Sequence, residues 1–391
     1  VGARPTASPH TSSSMLQANL NIAFGARGVA KLVESLSLPA ETGNLAVNLM
    51  TLNGLLSSQE NKMSALANDG AVLTVLTTLL ASTESEVRRQ AGLAIASLTL
   101  VYQGRLAAAT ANTVPALRIG LSDSVVTVRA ACASALLSLS SSRDGCSEMM
   151  RTEGLVSKLT GALDDASRDV LTSALGALSN LVRLDLGIDE ALESGVVKRL
   201  ATLIDPKQRV ANLLETGLQA LWNLANTPNG KEAAIDAGLL DILAQHVRHG
   251  SPNVRRLASG CIMAITINKD GKYQSKPCAE PLLELLFDPN SDFPTVRDCV
   301  GALKNMTEYP KLRKQIDKWL REHGGERDHI VEGGTTAQMQ EMFERVIYDH
   351  KQWPASYRYQ HQNIAPGGYA AEDEANTRAT WGYPQPFASD L

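Results

Sequence analysis

A unit of about 42 residues recurs along this chain, and no other feature of the sequence limits its fold as tightly. Seven apolar positions open segments that read apolar, then small, then Leu-rich: Leu45, Val87, Val128, Val170, Leu213, Val254 and Val296. Their successive gaps are 42, 41, 42, 43, 41 and 42 residues. Within a unit the apolar spacing is helical. Leu171, Ala174, Leu175, Leu178 and Leu181 fall at i, i+3, i+4, i+7 and i+10, one stripe of a helix and not the alternation of a strand.

Each unit follows one grammar. A glycine opens it, most plainly at Gly70, Gly154, Gly195 and Gly238. A helix follows, as over Leu155–Leu163 or Val196–Ile204. A polar turn then intervenes: Asp123-Ser124, Asp164-Asp165, Asp205-Pro206, Ser251-Pro252 or Asp288-Pro289. Asp, Ser and Pro end one helix and cap or start the next, here a longer one. Short stretches ahead of the glycine, such as Glu148–Arg151 and Lys231–Asp236, also read as helical. Three helices per unit, the first short, is the armadillo layout rather than the two-helix HEAT layout. One unit cannot bury its own apolar face, so units must stack. The expected fold is all-α: an armadillo-type right-handed solenoid of about seven repeats with one long concave groove.

Composition agrees with thin stacked layers. Apolar residues make up 44% and aromatics only 4%, so the core must be built from Leu, Val, Ile and Ala. The net charge of −4 supplies no basic excess for nucleic acid or an anionic membrane, and no apolar run reaches the length of a span. The Ser-, Thr- and Pro-rich start, Val1 to Ser14, lacks an apolar signal core. The five cysteines (Cys132, Cys146, Cys261, Cys278, Cys299) form no CxxC pair, and their odd number argues against a disulfide framework. Cys132, Cys261 and Cys299 sit among apolar helical residues, as buried thiols do, which points to a reducing compartment.

The sequence thus predicts an N-terminal extension over 1–23, a repeat array over 24–307, a helical segment over 308–352 and an extended docking tail over 353–391. Tyr309–Glu322 reads as a helix with a basic face, stopped by Gly324-Gly325, and Thr335–Lys351 as a second helix. The tail has no periodicity but holds 7 of the chain's 17 aromatics: Trp353, Tyr357, Tyr359, Tyr369, Trp381, Tyr383 and Phe387. Disordered tails are poor in aromatics, so these rings are expected to dock on a surface.

No catalytic chemistry is legible. Asn229-Gly230-Lys231 lacks the upstream glycines of a phosphate loop. Asp288–Phe293 starts like a calcium loop but lacks its turn glycine, and reads as an inter-helix turn. His323 and His329, near Glu322, Glu326 and Asp328, have no ligand spacing and read as a solvated loop. The expectation is a chain with no cofactor, no metal and no small-molecule substrate.

The candidate partner-binding residues lie elsewhere. Asn180, Asn223 and Asn305 take near-equivalent places in three long helices, in ALSNL, ALWNL and ALKNM. Asn inside a helix is costly without a partner. Each either bonds an extended peptide in the groove or ties neighbouring units together. Trp222 reads chiefly as inter-repeat core, with a groove anchor as the other option. Lys311, Arg313, Lys314, Lys318 and Arg321 read as a solvated cap face, or as a contact for an acidic partner.

Two stretches resemble the armadillo-repeat proteins of radial spokes in motile cilia and flagella. Phe24–Leu32 (FGARGVAKL) is similar to that family's aromatic-Gly-x-Arg-x-x-x-Lys-Leu opening. Val101-Tyr102-Gln103-Gly104-Arg105, followed by Val114–Leu117 and Leu121-Ser122-Asp123, is similar to its Tyr-x-Gly-Arg turn and next helix. The resemblance implies an axonemal scaffold subunit packed among other spoke proteins. From Tyr309 onward the chain departs from it. The alternative is a cytosolic peptide-binding adaptor, importin-α-like or catenin-like. Against the former, Gly176, Gln219 and Gly301 stand where a tryptophan ladder would precede the Asn residues.

Overall fold

The computed structural model describes residues 28–36, 42–207, 210–288, 290–323 and 343. The expected N-terminal extension, the tail and all of Thr335–Lys351 but Phe343 lie outside these residues. Every regular element among them is helical. The chain divides between Ser194 and Gly195 into two compact units, and that boundary falls between the first and second helix of a repeat.

The first unit holds α1 (Gly28–Leu36), α2 (Thr42–Leu55), α3 (Gln59–Ala65), α4 (Ala71–Leu79), α5 (Ser85–Leu98), α6 (Tyr102–Thr110), α7 (Thr113–Gly120), α8 (Val126–Leu139), α9 (Arg143–Met150), α10 (Leu155–Ala162), α11 (Arg168–Leu181) and α12 (Asp185–Glu193). Its long helices α2, α5, α8 and α11 pack each on the next. The second unit holds α13 (Val196–Leu203), α14 (Ala211–Ala225), α15 (Pro228–Asp236), α16 (Leu239–His246), α17 (Pro252–Ile265), α18 (Lys269–Gln274), α19 (Ala279–Leu286), α20 (Phe293–Thr307) and α21 (Pro310–His323). Here α14, α17 and α20 form the stacked row, and α21 closes against α19 and α20.

The expected grammar has local causes. Gly70, Gly154, Gly195 and Gly238 sit at φ of 67–75°, so the first helix of a repeat turns sharply into the second. Asn112 takes that position before α7 at φ 52°, as Asn tolerates best after Gly. The last repeat departs from this: a 3-10 turn, Lys276–Cys278, joins α18 to α19. The first helices are longer than their apolar pattern suggests. α9 starts at Arg143 because the Ser142 hydroxyl accepts from Gly145 N, and α15 at Pro228 because Thr227 accepts from Gly230 N.

Those two glycines belong to a joint. A β-carbon on Gly104, Gly145 or Gly230 would stand 1.9 Å from the carbonyl oxygen of Leu98, Leu139 or Leu224, at the end of the preceding long helix. Gly187 and Gly271 make the same approach to Leu181 and Ile265 at 2.5 and 2.2 Å. Close approach of backbone to backbone is what glycine is needed for here. The polar turns are also built alike. Asp123, Asp165, Asp205 and Asp288 each accept, through Oδ1, the backbone N–H two residues on.

The core is aliphatic, as composition requires. The anchors Val87, Val128, Val170, Val254 and Val296 are at most 1% exposed, while the only buried aromatics among the described residues are Trp222, Phe293 and Phe343. Fully burying one such aliphatic side chain stabilises by ~1.5–3 kcal/mol, spread here over many small contacts between neighbouring layers.

Candidate interaction surfaces

The long helices carry the Asn residues, and the structure gives their amides partners inside the chain. Asn180 Nδ2 donates to Ser140 Oγ at 3.0 Å, from α11 to the end of α8. Asn305 Nδ2 donates to Met263 O and Thr266 Oγ1, both at 3.3 Å, from α20 to the end of α17. Thr99 Oγ1 and Ser138 Oγ make the same joint one layer earlier, at 3.0 Å. Asn223 is 4% exposed and its Oδ1 accepts from Gln219 Nε2 at 3.2 Å. Asn180 and Asn305 thus each bond the end of the preceding long helix. A further member, Asn53, is invisible to the ALxN pattern: it donates to Gln90 O at 2.9 Å and Gln90 Oε1 at 2.7 Å, from α2 to α5.

Trp222 is 6% exposed and packs against Gly260 of α17, the core placement the sequence favoured. Among the described residues its buried Nε1 has no hydrogen-bond partner. Leu137 on Gly176 and Met263 on Gly301 repeat this large-on-glycine contact. Gly176 and Gly301 are two of the positions where a tryptophan ladder would stand. A β-carbon at Gly176 or Gly301 would stand 2.8 or 2.7 Å from Leu137 Cδ1 or Met263 Sδ of the preceding layer, so those side chain ends would have to move.

The basic helix α21 is amphipathic. Leu312, Ile316 and Leu320 are buried. Its cations divide by role. Arg313 Nη1 donates to Thr307 O at 3.3 Å, at the C-terminus of α20 where a positive charge is favourable. Lys318 pairs with Glu322 at 3.7 Å, and Arg321 pairs with Asp317. Lys311 and Lys314 are exposed. Trp319 stacks on Phe287 and His323, with centroids 6.0 and 4.6 Å apart. The seven tail aromatics, from Trp353 to Phe387, lie outside the described residues.

All five thiols are buried, and burial pushes Cys132 and Cys146 up to about 12 and raises Cys261, Cys278 and Cys299 well above the usual thiol range. Cys146, Cys261 and Cys278 donate to the carbonyls of Ser140, Leu218 and Leu240. Asp298 is fully buried, and desolvation raises it to about 6 against the pull of Arg297 beside it. In the loop that starts like a calcium site, Asp288 closes its own turn and Asp292 caps α20 through Thr295 N at 3.0 Å. Among the described residues no three His, Cys, Asp or Glu converge on a point, and no helix is long and apolar enough to cross a membrane.

The sequence reading missed a set of arginine clasps. Arg88 of α5 holds Asp123 through Nε and Nη2 at 2.7 and 3.0 Å, and Arg129 of α8 holds Asp165 at 2.7 and 3.2 Å. These contacts keep both aspartates below their usual range. The signal was present: a Val-Arg pair recurs at Val87, Val128, Val254 and Val296. Near the third pair lies a cleft of about 340 Å³, lined by Val247, His249, Arg255, Pro281, Leu285 and Asp288 among others.

Comparison with known proteins places this architecture. A family described as Cnd1, non-SMC mitotic condensation complex subunit 1, matches residues 91–203. No curated protein matches the chain. Solved structures do. An engineered protein superposes with a TM-score of 0.70 at 21% identity, over 88% of this chain and 84% of that one. A designed armadillo repeat protein gives 0.55 at 21% identity, over 60% and 98%. Another, solved in complex with the peptide (KR)4, gives 0.54 at 22%, over 60% and 98%. At these identities the likeness is one of fold. The described residues form an all-helical repeat solenoid of the armadillo/HEAT kind.

Proposed function

We propose that this chain is a structural subunit of the axonemal radial spoke in motile cilia and flagella, held among other spoke proteins by its helical surfaces and by segment 353–391. The observation that carries the reading is the Tyr102-Gln103-Gly104-Arg105 turn with Val114–Leu117 and Leu121–Asp123 behind it. These residues do mechanical work in the stack. Gly104 sits at the tight joint under Leu98 O, Arg105 Nη1 donates to Thr99 O and Leu100 O at 3.2 and 3.1 Å, and Asp123 takes the Arg88 clasp. Before assembly such a subunit resides in the cytoplasm.

The adaptor reading, importin-α-like or catenin-like, draws on Asn180, Asn223 and Asn305 and on the likeness to a designed protein solved with a basic peptide. Its weakness is that Asn180 and Asn305 already spend an amide donor on the preceding layer. One fractionation separates the two. After detergent and salt extraction of axonemes, a spoke subunit stays in the pellet with the spokes. A cytosolic adaptor leaves with the soluble fraction.

A further inference from the structure

Arg255 occupies the place in its repeat that Arg88 and Arg129 occupy in theirs, directly after the anchor valine. In all three, Nη1 is pinned by two carbonyls of its own turn. Arg88 donates to Ser82 O and Thr83 O at 2.9 and 3.2 Å, Arg129 to Asp123 O and Ser124 O at 2.9 and 3.4 Å, and Arg255 to His249 O and Gly250 O at 3.1 and 3.3 Å. Pinning orients the guanidinium plane. In the first two cases Nε and Nη2 then meet a carboxylate of the following turn.

The third clasp is open. The counterpart of Asp123 and Asp165 is Asp288, which closes the same kind of turn on Asn290 N at 2.9 Å. Asp288 stands eight residues before its anchor Val296, whereas Asp123 and Asp165 stand five before theirs. The longer turn also gives Asp288 Oδ1 a second donor, Asn290 Nδ2, at 3.0 Å. The other acid nearby, Glu284, is held by Arg248 at 2.7 and 2.8 Å. Among the described residues Arg255 donates to its two carbonyls and to nothing else. Arg255 and Asp288 instead face a shared cleft with apolar walls from Val247, Pro281 and Leu285.

We propose that this cleft takes an aspartate or glutamate side chain of a partner protein, clasped by Arg255 Nε and Nη2 as Arg88 clasps Asp123. Two parallel N–H···O bonds to a carboxylate are what a pre-oriented guanidinium recognises best. Asp288 and Glu284, which also line the cleft, repel acidic runs. They select a lone carboxylate flanked by basic or apolar residues. The inference rests on the protein-binding reading of the solenoid and is independent of the axonemal one.

The test observes the arginine Nε–Hε signals of the full chain by NMR, with Arg255→Lys identifying the Arg255 signal by its loss. The probes are an acetylated, amidated Ala-Lys-Glu-Leu-Ala peptide, its Gln counterpart and sodium acetate. The Glu peptide is expected to move the Arg255 signal saturably, with half-saturation about tenfold below acetate, since apolar and basic neighbours add to the clasp. The Gln peptide should leave it in place. Arg255→Gln should abolish peptide-induced shifts at neighbouring amides. Three results overturn the proposal: no movement with the Glu peptide, equal response to peptide and acetate, or a free-protein signal that Asp288→Asn displaces, which means the chain closes its own clasp. A chain that stays with axonemes yet gives one of these results loses this inference alone.

Discussion

Trp222 of α14 fills the space that a β-carbon on Gly260 of α17 would need, with Cε2 and Cζ2 of the indole 2.9 Å from that position. The contact couples two layers through one large and one absent side chain. Gly260→Ala should destabilise the second unit by about 1–3 kcal/mol, the usual cost of overpacking a tight core. Trp222→Leu in the same chain should recover part of that loss by freeing the space. Thermal melts of the two variants and the pair measure the coupling. Additive effects would mean that the two residues do not press on each other.

A second prediction concerns pH. Asp298 is raised to about 6 by burial, with Arg297 and Arg256 lowering it and Asp292 raising it. A folded-state value above the unfolded one means the native chain holds the proton more tightly. The associated stability is present below the unfolded value of 3.8 and is lost as pH rises through about 6. Relative to Asp298→Asn, the wild-type chain should therefore lose on the order of 2 kcal/mol between pH 4 and pH 7. Urea unfolding of both proteins across that range reads the difference directly. A flat difference would place the carboxylate in a solvated environment.

His246 should act in the opposite sense. Burial depresses its pKa, and its Nε2 lies 2.6 Å from Ile204 O. A depressed histidine contributes stability above its unfolded value of 6.5, and loses it as pH falls below that. His246→Gln should flatten this component of the acid limb. The same unfolding series checks it, and an unchanged limb would refute it.

The cysteines give a fourth prediction. Each thiol is buried with its thiolate strongly disfavoured, so all five should resist a disulfide-exchange reagent in the native chain and react together on unfolding. Rapid labelling of any one in native buffer would show that its layer opens.

Much of the fold is legible in the spacing of Leu45, Val87, Val128, Val170, Leu213, Val254 and Val296, because a stacked helix must present one apolar stripe at a fixed interval. The αL glycines are equally visible, since Gly70 or Gly154 between two helical patterns has few other uses. The glycine joint at Gly104, Gly145, Gly187, Gly230 and Gly271 is not legible in the apolar pattern, although it recurs every 41 to 43 residues. It serves a backbone carbonyl and leaves no apolar pattern. Asn180 and Asn305 could be placed on their helices but not assigned partners, since Ser140 and Thr266 lie some 40 residues upstream. The Arg88–Asp123 clasp escaped for the same reason: half of it lies in the next repeat.

The proposed role, a protein-binding scaffold of the axonemal radial spoke, requires this chain to lie beside spoke proteins in the intact axoneme. Lysine cross-linking of intact axonemes followed by mass spectrometry tests it most directly, because Lys311 and Lys314 are exposed on α21. The proposed role predicts cross-links from this chain to radial-spoke proteins that survive a salt wash. Cross-links confined to soluble transport or junctional partners, with none in washed axonemes, would contradict it.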